Sequence, residues 1–269
     1  MKRIATELTP EELNQFDRDG FVMLGQVMSD AELEGVQRRI DQIMLGDVHY
    51  DGLTLQGFAS SHEESARYRE RSLRYRKIAN LHLDDLFLAY FQKPLFRNFT
   101  RRFIGEDVGL QRDMLFNNYP HEGGIIFHQD GGESWNKDYQ PVPFVTVWTA
   151  LDPATVRNGC LRIVPGSHRQ LIPLAKVNEF VSRGPVVPLE VAAGEAILLH
   201  NWTLHGSERN QSDDPRRAVT VCYADSYTRK SSGESWGFPR IFRAGALSQG
   251  APKKTRQQDQ GKVSMIEKT

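Results

Sequence analysis

"EAILLHNWTLHGSERNQSDDPRRAVTVCYA", residues 195–224, sets two apolar runs, "AILL" and "RAVTVCYA", on either side of a stretch rich in turn formers. Asn201, Gly206, Asn210, Ser212, Asp213, Asp214 and Pro215 punctuate the middle, so a strand, a loop and a second strand are predicted, with no room for a crossover helix. Upstream, "MLFNN" (114–118), "GIIFHQD" (124–130), "PFVTVWTAL" (143–151), "CLRIVPG" (160–166) and "PVVPLEV" (185–191) repeat the pattern of short β-branched runs between turn signals. Seven or so such strands without intervening helices imply a sandwich or barrel over about residues 110–229, not βαβ units.

The preceding hundred residues read as mainly helical. Thr9, Pro10 and Glu12 form a capping box with proline at the first helical position, and Ser29 with Glu32 forms a second. Leu33, Val36, Ile40, Ile43 and Met44 then recur at helical spacing, giving an apolar stripe for packing onto the main body. Residues 84–103 predict two helical pieces divided at Pro94. Residues 46–66 show no period and lead into the basic "RYRERSLRYRK", residues 67–77, which reads either as a solvated face or as a lid for an anionic substrate. From about 246 the chain lacks apolar content and is expected to be loosely attached. With no internal repeat or boundary signal, residues 1–269 are expected to form one domain.

Lys plus Arg equals Asp plus Glu at 34 each, so no global charge draws the chain to nucleic acid or an anionic membrane. Its two cysteines, Cys160 and Cys222, are far apart and predict buried thiols in a reducing compartment. No run has the length of a membrane span, so a soluble, cytoplasmic protein is expected, with its oligomeric state open.

His128 and Asp130, two positions apart in a predicted strand, project to one face, with Gln129 turned away. That arrangement suits two ligands on one metal. The stretch quoted first adds a histidine pair, His200 and His205. Two histidines with one carboxylate on a β scaffold make the facial triad that holds non-heme Fe(II) with open positions, whereas an all-His or Cys-rich set points to zinc. On the following strand Arg216, Ala218, Thr220 and Cys222 share a face, a guanidinium followed by small residues with room for a small carboxylate ligand. Arg217, Val219, Val221 and Tyr223 share the other, which reads as a packing surface under the helices.

Together "HQD", "VWTALDPATVRNGCLRIVPGSH", "LLHNWTLHGS" and Arg216 eleven residues after His205 resemble the phytanoyl-CoA dioxygenase family of Fe(II)- and 2-oxoglutarate-dependent oxygenases, over roughly residues 15–229. The resemblance implies a β-rich α+β fold, a double-stranded β-helix (jelly roll, cupin-like) with N-terminal helices packed on it. It implies His128, Asp130 and His205 as iron ligands, Arg216 on the distal carboxylate of 2-oxoglutarate, and Ser207 beside it. Trp148 would line the co-substrate site, and Lys77 matches a basic position that touches the co-substrate in some members. Where relatives often read Asn-Lys-Pro-Pro before the H-x-D strand, this chain has Asn117, Asn118, Tyr119 and Pro120, so a lysine contact from that segment is missing.

The expected activity is hydroxylation of an unactivated C–H bond of a small organic substrate, consuming O2 and releasing succinate and CO2. A metal-binding cupin-like sensor, a halogenase and a 2-oxoglutarate-independent dioxygenase are the alternatives. Asp130 argues against a halogenase, which leaves the carboxylate position to halide, and Arg216 argues against a pure sensor. His200 is expected to be structural, His121 and His168 to be solvated in turns, and Asn158 with Gly159 to shape a turn. Trp135 and Tyr139 are candidates for touching substrate from a loop.

Overall fold

The computed structural model describes residues 5–58, 70–131, 144–230, 232–244, 246 and 247. Helix α1, Pro10–Asp19, starts at the expected capping box, with both reciprocal bonds between Thr9 and Glu12 present, and ends on Gly20 at φ 80°. The chain then forms a strand that the sequence does not announce, β1, Phe21–Gln26. Helix α2, Asp30–Met44, follows with its own capping box and buries Val36, Ile40, Ile43 and Met44 of the predicted stripe. Two three-residue strands, β2 (Thr54–Gln56) and β3 (Lys77–Ala79), pair with each other. Helices α3 (Asp85–Phe91) and α4 (Pro94–Phe103) meet at Pro94 as anticipated. The first hundred residues are therefore not only helical but also supply three strands.

The remaining strands are β4 (Val108–Asn118), β5 (Ile125–His128), β6 (Val145–Ala150), β7 (Leu161–Ile163), β8 (Val187–Leu189), β9 (Glu195–His200), β10 (His205–Ser207), β11 (Arg216–Asp225), β12 (Arg240–Arg243) and β13 (Ala246–Leu247). A fifth helix, α5, Val177–Arg183, lies between β7 and β8. The larger sheet runs β1-β9-β6-β11-β4-β12-β13 with β3 and β2 joined at β4, and the smaller runs β5-β10-β7-β8. Every pairing among the described strands is antiparallel. A cavity of about 390 Å³ is lined from both sheets, by β4, β6 and β11 on one side and by β5, β7 and β10 on the other. This is the double-stranded β-helix. Residues 246 and 247, expected to begin the loose tail, instead pair with β12, and the rest of that segment lies outside the described residues.

Alternation along β11 decides what each side of the large sheet meets. Val219, Val221 and Tyr223 join Phe16, Ile40, Phe87, Phe91 and Phe96 of the helices in the main core, and the Tyr223 hydroxyl donates to the Phe91 carbonyl at 2.7 Å. Arg217, on the same face, donates to Asp152 on one side and Asp41 of α2 on the other, each at 2.8 Å. Helices thus cover one face, and the opposite face is left to line the cavity. No helix of the described residues is long and apolar enough to cross a membrane.

Strand β10 falls where the sequence predicts only loop. It is three residues long, with no hydrophobic signature, and is held between β5 and β7 by register: His205 opposite His128 and Ile163, Ser207 opposite Ile125 and Leu161. Its central residue permits that approach. A Cβ on Gly206 would stand 2.9 Å from the Ile125 carbonyl oxygen and 3.1 Å from the Phe127 nitrogen. Gly206→Ala is expected to destabilise the protein by about 1–3 kcal/mol through overpacking, read as a lower urea midpoint, and to loosen the pairing that positions His205.

Candidate metal centre

His128 is the last residue of β5, and Asp130 stands two residues on, in the turn beyond it. The expected pair is brought together, but partly by this turn and not by strand geometry alone. Gln129, turned away as predicted, anchors the turn: its amide donates to the carbonyls of Trp202 at 2.6 Å and Gln170 at 2.9 Å, and its oxygen accepts from the Ile172 N–H at 2.8 Å. The β5–β10 register then sets His205 opposite His128, with ring centroids 4.5 Å apart. One ligand atom from each of His128, Asp130 and His205 lies within 4.8 Å of the others.

The surroundings prepare all three as ligands. Nδ1 of His128 lies 2.9 Å from the Ile126 carbonyl and Nδ1 of His205 2.8 Å from the Thr203 carbonyl. A carbonyl accepts only, so each Nδ1 carries the proton and each Nε2 keeps its lone pair for a metal. Burial, with the neighbouring His128 second, lowers the His205 pKa to about 4, so the ring is neutral at physiological pH. Burial alone raises the Asp130 pKa, but the Arg112 guanidinium and the two histidines outweigh it and hold the carboxyl well below the usual range. Arg112 donates to Oδ1 at 2.9 Å and the Thr146 hydroxyl to Oδ2 at 3.3 Å. Two imidazoles and one fixed carboxylate fit a hard-to-borderline divalent cation such as Fe(II).

Beside the triad the cavity offers an anion site. Arg216 is buried, lies 5.5 Å from the Trp148 ring centroid, and makes no ion pair among the described residues. Burial lowers its pKa to about 10, against smaller opposing effects of Cys160 and Asp152. Among the described residues no protein group bonds Arg216 Nε, Ser207 Oγ or Thr220 Oγ1, although all three are buried and their residues line the cavity. A desolvated guanidinium beside two unmatched hydroxyls suits a carboxylate. Thr220 pairs with Trp148 across β11 and β6, so the sheet itself fixes this cluster. Lys77 lines the same cavity from β3, 5.2 Å from the Phe116 ring, and burial followed by Arg76 and Arg112 lowers its pKa to about 8.

The other residues singled out in the sequence are sorted by their contacts. His200 does not join the triad: its Nδ1 accepts from the Trp202 N–H at 3.0 Å, and its ring packs on His168 at 5.3 Å and Trp202 at 5.6 Å. His168 is thus half-buried against His200 and not freely solvated, whereas His121 is exposed. Asn158 shapes its turn by accepting from Thr155 N and donating to Pro153 O. Both cysteines are free and buried. In the basic segment Arg71 pairs with Asp47 and Arg74 with Glu122 at the surface, whereas Arg76 and Lys77 reach the cavity. Arg67, Arg69, Trp135 and Tyr139 lie outside the described residues. Arg112, Thr146 and Thr220 are site residues that the sequence alone does not single out. Thr220 shares the alternating face of Arg216, a usable signal, but the link from Arg112 to Asp130 spans 18 residues and exists only through folding.

The family profile described as Phytanoyl-CoA dioxygenase (PhyH) matches residues 16–218. Phytanoyl-CoA dioxygenase domain-containing protein 1 of Bos taurus is 28% identical over 85% of this chain and 94% of its own. The peroxisomal phytanoyl-CoA dioxygenase of Bos taurus is 22% identical over 81% of this chain and 69% of its own. Among solved structures, EctD from S. alaskensis with 2-oxoglutarate and 5-hydroxyectoine superposes with a TM-score of 0.70 at 20% identity, covering 92% of this chain and 88% of that one. SnoK, a non-heme alpha ketoglutarate dependent carbocyclase from nogalamycin biosynthesis, gives 0.63 at 22% identity, covering 92% and 94%.

Proposed function

The chain belongs to the phytanoyl-CoA dioxygenase family, and we propose that it is an Fe(II)- and 2-oxoglutarate-dependent dioxygenase that hydroxylates a C–H bond of a small organic substrate. The observation that carries this reading is the juxtaposition, in one cavity, of a complete His128–Asp130–His205 set with a buried Arg216 that makes no ion pair among the described residues. A sensor or a 2-oxoglutarate-independent oxygenase has no use for that arginine, and a halogenase has none for Asp130. The EctD relative, crystallised with 2-oxoglutarate, and the alpha ketoglutarate-dependent SnoK agree with this co-substrate, although SnoK is a carbocyclase and hydroxylation is the narrower proposal.

Fe(II) with 2-oxoglutarate supplies the oxidising chemistry: O2 is consumed, the co-substrate becomes succinate and CO2, and the second oxygen atom enters the substrate. The chain's residues do the positioning. His128 and His205 through Nε2, and Asp130 through its carboxylate, whose Oδ1 accepts from Arg112 and Oδ2 from Thr146, would hold the metal. Arg216 would take the distal carboxylate of 2-oxoglutarate, with the Ser207 and Thr220 hydroxyls free to donate beside it and Trp148 lining the same site. Leu161, Leu199 and Phe116 make the lining apolar, which limits water around the reacting bond.

Adjacent arginines test the reading. Arg216→Gln is expected to raise the 2-oxoglutarate concentration for half-maximal succinate release by about tenfold to a hundredfold, the loss of a charge-assisted contact worth about 1.5–3 kcal/mol, with iron retained. Arg217→Gln, on the helix side of β11, should leave that concentration unchanged and lower the melting temperature through loss of Asp152 and Asp41. An unchanged 2-oxoglutarate requirement in Arg216→Gln, or the opposite ranking of the two variants, rejects the assignment.

A further inference from the structure

On the reading that the cavity holds Fe(II) and 2-oxoglutarate, we propose that Thr146, backed by Cys222, is a positioning residue that keeps Asp130 a one-oxygen ligand and so preserves the metal positions the co-substrate needs. The placement comes from register. Cys222 of β11 pairs with Arg112 of β4 on one side and with Thr146 of β6 on the other, so three adjacent strands set these residues in one row across the sheet. Asp130 meets that row from the turn after β5: Arg112 donates to Oδ1 at 2.9 Å and Thr146 to Oδ2 at 3.3 Å. Thr146 is 2% exposed and Cys222 fully buried, so the row is enclosed.

The two carboxylate oxygens are not equivalent. Oδ1 lies 3.6 Å from His128 Nε2, the nitrogen left for a metal, and is therefore the oxygen on the ligand side; Oδ2 is the remote one. Rotation of a carboxylate about its bond to Cβ is only weakly restricted, so a donor on Oδ1 alone leaves the group free to turn and offer both oxygens. A donor on each oxygen fixes the plane. Thr146 is oriented in turn: an ionised carboxylate only accepts, so the single Thr146 proton goes to Oδ2, and the Thr146 oxygen, 3.3 Å from Cys222 Sγ, accepts the thiol proton. Burial, outweighing Arg112, raises the Cys222 pKa and keeps that thiol protonated. A carboxylate binds a metal through one oxygen or two. Its second oxygen would take one of the positions that two histidines and one carboxylate leave open, in competition with a co-substrate that needs two of them.

Thr146→Val keeps the shape and removes the donor, whereas Thr146→Ser keeps the donor. Mn(II), and then 2-oxoglutarate, are titrated calorimetrically into the purified proteins. Thr146→Val is expected to bind Mn(II) within about threefold of wild type, or more tightly, and 2-oxoglutarate about tenfold more weakly, the loss of one hydrogen bond to a charged group. Thr146→Ser should stay within about threefold of wild type for both. A larger loss of Mn(II) affinity in Thr146→Val overturns the proposal, because Thr146 would then only orient a ligand. So does 2-oxoglutarate affinity kept within about threefold of wild type, or a Thr146→Ser protein as weak as Thr146→Val. Thr146→Ala, judged by the same criteria, replaces Thr146→Val if circular dichroism shows the latter unfolded. If Mn(II)-loaded wild type takes up no 2-oxoglutarate, the co-substrate reading fails separately, and water proton relaxation of the Mn(II) proteins still decides the role of Thr146: fewer exchangeable metal-bound waters in Thr146→Val than in wild type support it, and equal numbers end it.

Discussion

Replacing His205 with Ala is expected to abolish succinate formation and Fe(II) binding together, and His128→Ala should do the same, whereas His200→Ala keeps both. Disturbing a partner that merely orients a metal ligand costs about 10–100-fold, and removing the ligand itself exceeds that. The distinction between two histidines five residues apart rests on register. His205 lies opposite His128 across β10 and β5 and is buried, with Nδ1 tied to Thr203 O, which leaves Nε2 for a metal. His200 ends β9 on the larger sheet and spends its ring on His168, Trp202 and Phe16. Metal titration of the purified variants, with circular dichroism to confirm folding, reads the difference. Loss of iron in His200→Ala together with its retention in His205→Ala would show that the strand register has been misassigned.

That register is also where sequence reading reaches its limit. The helix starts are legible because capping is local: Thr9 with Glu12 and Ser29 with Glu32 each lie within four residues, and both boxes form. The two faces of β11 are legible because alternation is local too, so Arg216 and Arg217 fall on opposite sides before any partner is known. Strand β1 is hard to see because "FVMLGQ" lies between two strong helix signals and carries only six residues. Strand β10 is hidden because His-Gly-Ser has no hydrophobic pattern; its pairing is imposed by β5 and β7, not by its own propensity. Lys77 is suggested by the family resemblance, and only the β3–β4 register gives it a place on the cavity wall. Arg112 is invisible for a related reason. It precedes the run "MLFNN" that marks the strand, and its relevance depends on a pairing with Cys222 and a reach to Asp130 that no short-range pattern encodes.

Arg112→Met should therefore have the largest effect on stability of any change beside the triad: about 3–5 kcal/mol in metal-free protein at pH 7, the cost of leaving a buried charge without its partner. Asp130 is 5% exposed and Arg112 15%, so water compensates the lost bond only in part. The pH dependence identifies the cause. The Asp130 pKa is lower folded than unfolded, because Arg112 overcomes the opposing effect of burial. A group depressed in this way contributes stability above the unfolded carboxylate pKa of about 3.9, and loses it as pH falls through the folded value. The difference in unfolding free energy between wild type and Arg112→Met should accordingly be widest at neutral pH and shrink below about pH 4. Asp130→Asn in the Arg112→Met background removes the stranded charge, so the double variant should be more stable than the sum of the single losses. Urea unfolding of the four proteins at pH 7 and at pH 3–4 measures both effects. A deficit equal at the two pH values, with additive single losses, would mean that Arg112 acts through its contact with Cys222 and not through the Asp130 carboxylate.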